Sequence, residues 1–363
     1  MTLLYVLAAL LLLGILVVVH EGGHFWAARL TGIPVREFSV GFGPVLLKRK
    51  SKKHDTVFTL RLIPAGGFCA FYGEDDPNEE SRKDPRAFAN APVWKRIVTV
   101  FMGPGMNFIL ALLVAFGFYL IGGEVTDVVY GKCTLVSVTE DGAAALGGLQ
   151  AGDIVDSING QDASGTDAEG NLRLTSLIAA YQEGDAPLRF GVTRGSETAE
   201  FDVTPVYNAQ EGRMMTGIVI QPEAKYVYSP VTIGRAVELG ADYCWRAGTS
   251  IWTSLWNLVT KGEGIENTGG PVRIVQMITE ETKTYGLEAY VGLLILISVN
   301  LGLVNLLPIP GLDGSRILFL IVEAIMRRPL NRKVEAYIQT AGLFVLMGLF
   351  LVLTYRDVMH LFQ

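Results

Sequence analysis

The chain has 363 residues, of which 50% are hydrophobic and 18% charged; an ordinary globular protein carries about 25% charged residues, so a wholly soluble protein is not expected. Thirty basic against thirty-six acidic residues leave a net charge of −6 with no Arg-rich tail, which gives no indication of nucleic-acid binding. Three cysteines, Cys69, Cys133 and Cys244, exclude a disulfide scaffold.

Four windows carry no Asp, Glu, Lys or Arg: residues 1–19, 97–123, 289–312 and 336–355, of 19, 27, 24 and 20 residues. Each reaches the roughly 20 residues that cross a bilayer as a helix, so a polytopic α-helical membrane protein with four transmembrane helices is expected. The first span is taken as residues 1–27 and the last as residues 336–356. A cleaved signal peptide would place a basic residue ahead of its apolar run, whereas the first basic residue here, Arg29, lies beyond it.

Residues 28–96 separate the first two spans. The stretch 25–96 holds 13 Lys and Arg residues, which assigns this side to the cytoplasm. Within it Phe38, Val40 and Phe42 alternate with Ser39, Gly41 and Gly43, and Phe58, Leu60 and Leu62 alternate with Thr59 and Arg61. That period of two, with a polar turn at 48–55, predicts a β-hairpin over 38–62. Residues 74–86, acidic and then basic with two prolines, read as a solvated loop.

Residues 124–288 hold 11 basic and 23 acidic residues and fall on the opposite, extracytoplasmic side. Their first part, 124–208, reads as a compact α+β module. Strands are expected at 135–138, 154–158, 188–193 and 200–203, a helix at 172–181, and turns at Asn159-Gly160 and Arg194-Gly195. The small-residue run followed by Gly-Asp and a strand ending in Asn-Gly, at 143–160, resembles the start of a bacterial PDZ domain. Residues 209–288 read as amphipathic helices and linker; Trp245, Trp252 and Trp256 share one side, which suits either a membrane surface or packing on the module. After the third span, 289–312, comes a cytoplasmic loop at 313–335 containing Arg316, Arg327, Arg328, Arg332 and Lys333. The tail at 357–363 then lies outside, as does the N-terminus.

At the inner end of the first span stands His20-Glu-Gly-Gly-His24, an H-E-x-x-H sequence. On a helix, positions i and i+4 share a face, so both imidazoles reach one metal while Glu21 projects beside it. Ionisable groups at a membrane edge cost several kcal/mol unless they are paired or bound, which favours a functional reading. A catalytic zinc takes three protein ligands and keeps one position open. His54 sits in the basic turn and His360 beyond the fourth span, whereas Asp313, the only charge between Glu288 and Arg316, falls at the same cytoplasmic face as the histidines. With Glu21 taking a proton from water and returning it to a leaving amine, the expected reaction is peptide hydrolysis.

Together with Asn305-Leu-Leu-Pro-Ile-Pro-Gly-Leu-Asp-Gly314, Met102-Gly-Pro-Gly-Met-Asn107 and Gly270-Pro-Val272, these features resemble the site-2 protease family of intramembrane zinc metalloproteases, of the bacterial sigma-E regulator type. The resemblance implies that Zn2+ is held by His20, His24 and Asp313 with Glu21 as general base. It also implies that the hairpin around Gly41 and Gly43 is a membrane-associated β element, and that Asn305, Pro308 and Pro310 touch substrate. The implied setting is the bacterial cytoplasmic membrane, with the PDZ-like module and both termini outside and the active site towards the cytoplasm. The implied substrate is a single-span membrane protein, such as an anti-sigma factor already trimmed outside or a signal-peptide remnant. Two features depart from the family pattern: Ser315 follows Asp313-Gly314 where a second Gly is common, and Arg273 follows Gly-Pro-Val. Only one PDZ-like module is evident. A PDZ-bearing adaptor without catalysis is disfavoured by the intact HEGGH and Asp313, and a metal transporter by Glu21.

Overall fold

The computed structural model describes residues 2–52, 55–74, 84–208, 212–264 and 269–360. His54 and most of the stretch expected to be a solvated loop at 74–86 lie outside them. In chain order the elements are helix α1 (Thr2–Thr31), strands β1 (Val35–Lys50) and β2 (Val57–Phe71), helix α2 (Val93–Gly122), strand β3 (Glu124–Val138) and helix α3 (Ala143–Leu146). There follow β4 (Ile154–Ile158), β5 (Gln161–Asp162), helix α4 (Arg173–Ala179), β6 (Leu188–Arg194), β7 (Glu197–Val203), β8 (Val206–Asn208), β9 (Arg213–Met215) and β10 (Ile218–Ser229). Helices α5 (Ile233–Lys261), α6 (Pro271–Asn305), α7 (Asp313–Met326) and α8 (Arg332–His360) complete the chain. Two units result, one of residues Met1–Ile121 with Thr232–Gln363 and one of Gly122–Val231.

In the first unit, α1, α2, α6 and α8 are long and apolar enough to cross a membrane. Two expectations are corrected here. The third span was expected to run to residue 312, but α6 stops at Asn305, because Pro308 and Pro310 cannot continue a helix. It also starts at Pro271, inside the range expected to be linker, and is interrupted at Gly286 (φ 72°, ψ −148°), so it is two helical pieces. The range 313–335, expected to be a loop, contains α7. Ile317, Leu320, Ile321 and Ala324 recur at helical spacing there, and Asp313 in the first turn complements the helix dipole.

The expected hairpin is wider than two strands. Glu37, Phe38, Ser39 and Val40 each lie opposite two residues of β2: Val57 to Leu60 on one side and Ala70 to Gly67 on the other. Val45 to Lys50 pair in turn with Arg61 to Val57. The two long strands therefore fold back into a sheet four segments wide. The bend lies at Gly41 and Gly43, with φ of +87° and +82°. A Cβ on Gly41 would come within 2.7 Å of the Ile63 carbonyl oxygen, so glycine is required there by the sheet itself. Arg61 fastens the bend, donating to the Gly43 carbonyl at 2.9 Å, Ser39 Oγ at 3.0 Å and Glu37 Oε1 at 2.8 Å.

Buried side chains tie these elements together. Ala9, Leu12 and Leu16 of α1 pack on Ile278 and Leu294 of α6. Ala111 and Ala115 of α2 meet Ala247 of α5 and Ile295 and Val299 of α6. Helix α7 is held to α2 by an ion pair in which Arg96 donates to both Glu323 oxygens, at 3.0 and 2.5 Å, with Leu320 and Val100 in the same core. Removing one partner of a pair as sequestered as this costs about 3–5 kcal/mol.

The second unit is an antiparallel sheet of order β10-β3-β4-β6-β7, with β5 on β4. Its core is Leu135, Val155, Ile158, Leu174, Phe190, Val192 and Val203. Strands β9 and β10 fall in the range 209–288, expected to be helix and linker; β10 is specified by pairing with β3, which is remote in sequence. Asp153, fully buried, accepts from Arg194 Nε at 2.6 Å and from the Gln150 N–H at 2.9 Å. The Arg194 hydrogen bond holds its carboxyl below the usual range. A depressed pKa stabilises the fold above the unfolded value and loses that contribution as pH falls through the folded one. Asp153→Asn should therefore lower the melting temperature at pH 7. The gap to the parent should narrow below about pH 4, where an unfolded carboxyl begins to protonate. A constant gap from pH 7 to 3 would contradict this.

Candidate metal centre

His20 and His24 are one turn apart on α1, and their rings meet edge to face with centroids 5.0 Å apart. Both Nε2 atoms point at one oxygen: Asp313 Oδ2 is 3.1 Å from His20 and 3.3 Å from His24. These three residues offer ligand atoms that all lie within 4.8 Å of one another.

Helix α2 backs the two imidazoles. His24 Nδ1 donates to the Thr99 carbonyl at 3.0 Å, and His20 Nδ1 lies 3.1 Å from Asn107 Nδ2. Glycines permit this approach: a Cβ on Gly23 would strike the Met102 carbonyl, and one on Gly103 would strike the His24 ring. The donor set fits a divalent cation. With the His24 proton committed to Thr99, its Nε2 lone pair faces a carboxylate oxygen, an arrangement that a cation between them satisfies. Two imidazoles and one carboxylate are also the ligand types of a catalytic zinc site.

A model of the family described as Peptidase family M50 matches residues 8–349. The chain belongs to peptidase family M50. This M50 chain is 31% identical to the regulator of sigma-W protease RasP of Bacillus subtilis, with 98% of this chain and 99% of that one covered. It is 32% identical to the zinc metalloprotease RasP of Bacillus licheniformis over the same shares. It is accordingly a metalloprotease and, with its apolar helices, a multi-pass membrane protein.

Asp313 of the M50 chain is delivered by the bend between α6 and α7. That bend is anchored from α8, where Gln339 Oε1 accepts the Gly311 N–H at 2.7 Å and Gln339 Nε2 donates to Ser315 Oγ at 2.9 Å. The serine that departs from the family pattern thus has a partner. A Cβ on Gly67 would come within 3.2 Å of Glu21 Cγ and 3.1 Å of Val17 Cγ1, so the 67–71 segment of β2 runs alongside α1 at Glu21.

The remaining expected site residues are more dispersed. Asn305 donates to the Leu301 carbonyl of its own helix at 2.9 Å. Pro308 is exposed in the bend and Pro310 partly buried. Gly41 and Gly43 occupy the fold of the sheet, where Ile63 fills the space beside them. The Thr99 carbonyl and Asn107 were not singled out from sequence as contacts of the imidazoles. The one available signal was Asn107, a carboxamide inside an uncharged apolar window.

Proposed function

We propose that the protein is an intramembrane zinc metalloprotease that cuts single-span membrane proteins in or near their transmembrane segment. The observation that carries this reading is the convergence of His20, His24 and Asp313 within 4.8 Å, two of them on a helix apolar enough to span a bilayer. In this reading those three residues hold Zn2+, which supplies Lewis acidity and acidifies a water. Glu21 accepts the proton of the attacking water and passes it to the leaving amine nitrogen. Thr99 and the buried surroundings orient His24, and Gln339 holds the bend that presents Asp313.

A helical substrate presents no free carbonyl, so the cut segment must unwind, and its exposed backbone groups need partners. Asn305, with Pro308 and Pro310 stiffening the bend, and the sheet shaped by Gly41 and Gly43 are proposed to supply them. The unit at 122–231 is proposed to be a PDZ-like filter on the extracytoplasmic side of a bacterial inner membrane, with four spans, both termini outside and the metal towards the cytoplasm. The name of the Bacillus subtilis relative, a regulator of sigma-W protease, supports an anti-sigma factor as substrate; a signal-peptide remnant has the same chemistry.

Purified protein should carry about one zinc per chain and cleave a model transmembrane peptide. His20→Ala and Asp313→Ala should each lose zinc and cleavage together. Cleavage by a protein stripped of zinc, or full zinc content in both variants, would refute the assignment.

A further inference from the structure

We propose that Asn107 is the positioning residue that sets His20 in the tautomer and ring orientation required of a metal ligand, an inference that rests on reading His20 as a ligand. An imidazole binds metal through one nitrogen only if the proton sits on the other, and a buried ring N–H needs an acceptor. For His24 that acceptor is the Thr99 carbonyl at 3.0 Å. For His20 the group facing Nδ1 is the Asn107 carboxamide at 3.1 Å.

Asn107 is fully buried, and among the described residues its Oδ1 has no hydrogen-bond partner. The two ends of a carboxamide share one shape and differ only in what they bond, so the neighbours decide which end faces which. With Nδ2 towards His20, Nδ1 must accept, the ring proton moves to Nε2, and no lone pair is left on the side of Asp313. That orientation also leaves the buried Oδ1 without a donor. Turning the amide about its Cβ–Cγ bond presents Oδ1 to an Nδ1–H and frees Nε2 for a cation. One rotation gives the orphaned acceptor a donor and completes the ligand, with Nδ2 taking the place that Oδ1 held. The residue is also held from behind, since its backbone carbonyl accepts from Ser298 Oγ of α6 at 2.7 Å.

The oxygen and nitrogen roles are separable by substitution. Asp at 107 offers only acceptors, and Leu offers neither role at similar volume. The full-length protein in detergent is titrated with zinc against a competing chelator, and the visible spectrum of its cobalt-loaded form is recorded. Asn107→Asp should hold zinc within about threefold of the parent, and Asn107→Leu should bind about 10–100-fold more weakly with a shifted cobalt spectrum. If Leu does not accumulate as folded protein, Asn107→Thr, too short to reach Nδ1, carries the same expectation. Parental affinity in the Leu or Thr variant, or an Asp variant as weak as they are, overturns the inference. His20→Ala separates it from the reading beneath: zinc retained there removes His20 as a ligand, whereas zinc lost there but kept in Asn107→Leu removes only the role of Asn107.

Discussion

Glu21→Gln is expected to abolish cleavage of a transmembrane peptide while the protein keeps its metal. The substitution is nearly isosteric, so the packing of the 67–71 segment against Glu21 is kept. The three converging ligand atoms belong to His20, His24 and Asp313 and are untouched. What disappears is a group able to take a proton from water, and general-base catalysis contributes about 10²–10⁴-fold. Zinc per chain and kcat, measured on the same preparation, separate the roles. Cleavage within about tenfold of the parent would deny Glu21 the base role; loss of zinc would make it a ligand instead.

The same geometry distinguishes a protease from a transit site for metal. A transporter needs its ligands to release the ion, and it has no use for a carboxylate held beside the site by a strand. Here the 67–71 segment runs along α1 at Glu21, and the bend bearing Asp313 is bonded to α8 through Gln339. Both features fix the site in place.

How much of this could be read from sequence depended on the kind of signal. Absence of charge located α2 to within a few residues, 97–123 against Val93–Gly122, because lipid excludes ionised groups, whereas the window 289–312 covered only the second piece of α6, whose first piece carries charges. H-E-x-x-H spacing placed two imidazoles on one face, and charge counting brought Asp313 to the same end. The helix α7 went unread because the arginines at 316, 327 and 328 suggested a loop, although only the first of them lies within the helix proper. The fourfold width of the sheet was hidden because Gly67-Phe-Cys-Ala-Phe71 shows no period of two, and its partner is Val35 to Val40 across the chain. The Thr99 contact could not have been found at all, since it is a backbone carbonyl that any residue type would offer.

The two central glycines of His20-Glu-Gly-Gly-His24 are expected to respond in opposite ways to the same added methyl group. A Cβ on Gly22 meets nothing within 4 Å, whereas one on Gly23 collides with the Met102 carbonyl and lies 2.8 Å from Met106 Cγ. A backbone carbonyl cannot swing aside as the end of a long side chain can, so Gly23→Ala must drive α1 and α2 apart. Helix α2 carries both the Thr99 carbonyl and Asn107, and the displacement therefore reaches His24 and His20 at once. Overpacking of this kind costs about 1–3 kcal/mol, and each 1.4 kcal/mol or so taken from metal binding is about tenfold in affinity. Gly23→Ala should thus bind zinc about 10–100-fold more weakly and lose cleavage in proportion. Gly22→Ala should keep its zinc and melt no lower than the parent, because Ala is favoured over Gly inside a helix by up to about 1 kcal/mol. Chelator titration and thermal melting of the two variants side by side test the contrast. Equal zinc affinity in both would mean that the helices do not touch at Gly23, and that the glycine pair serves only as a spacer between the histidines.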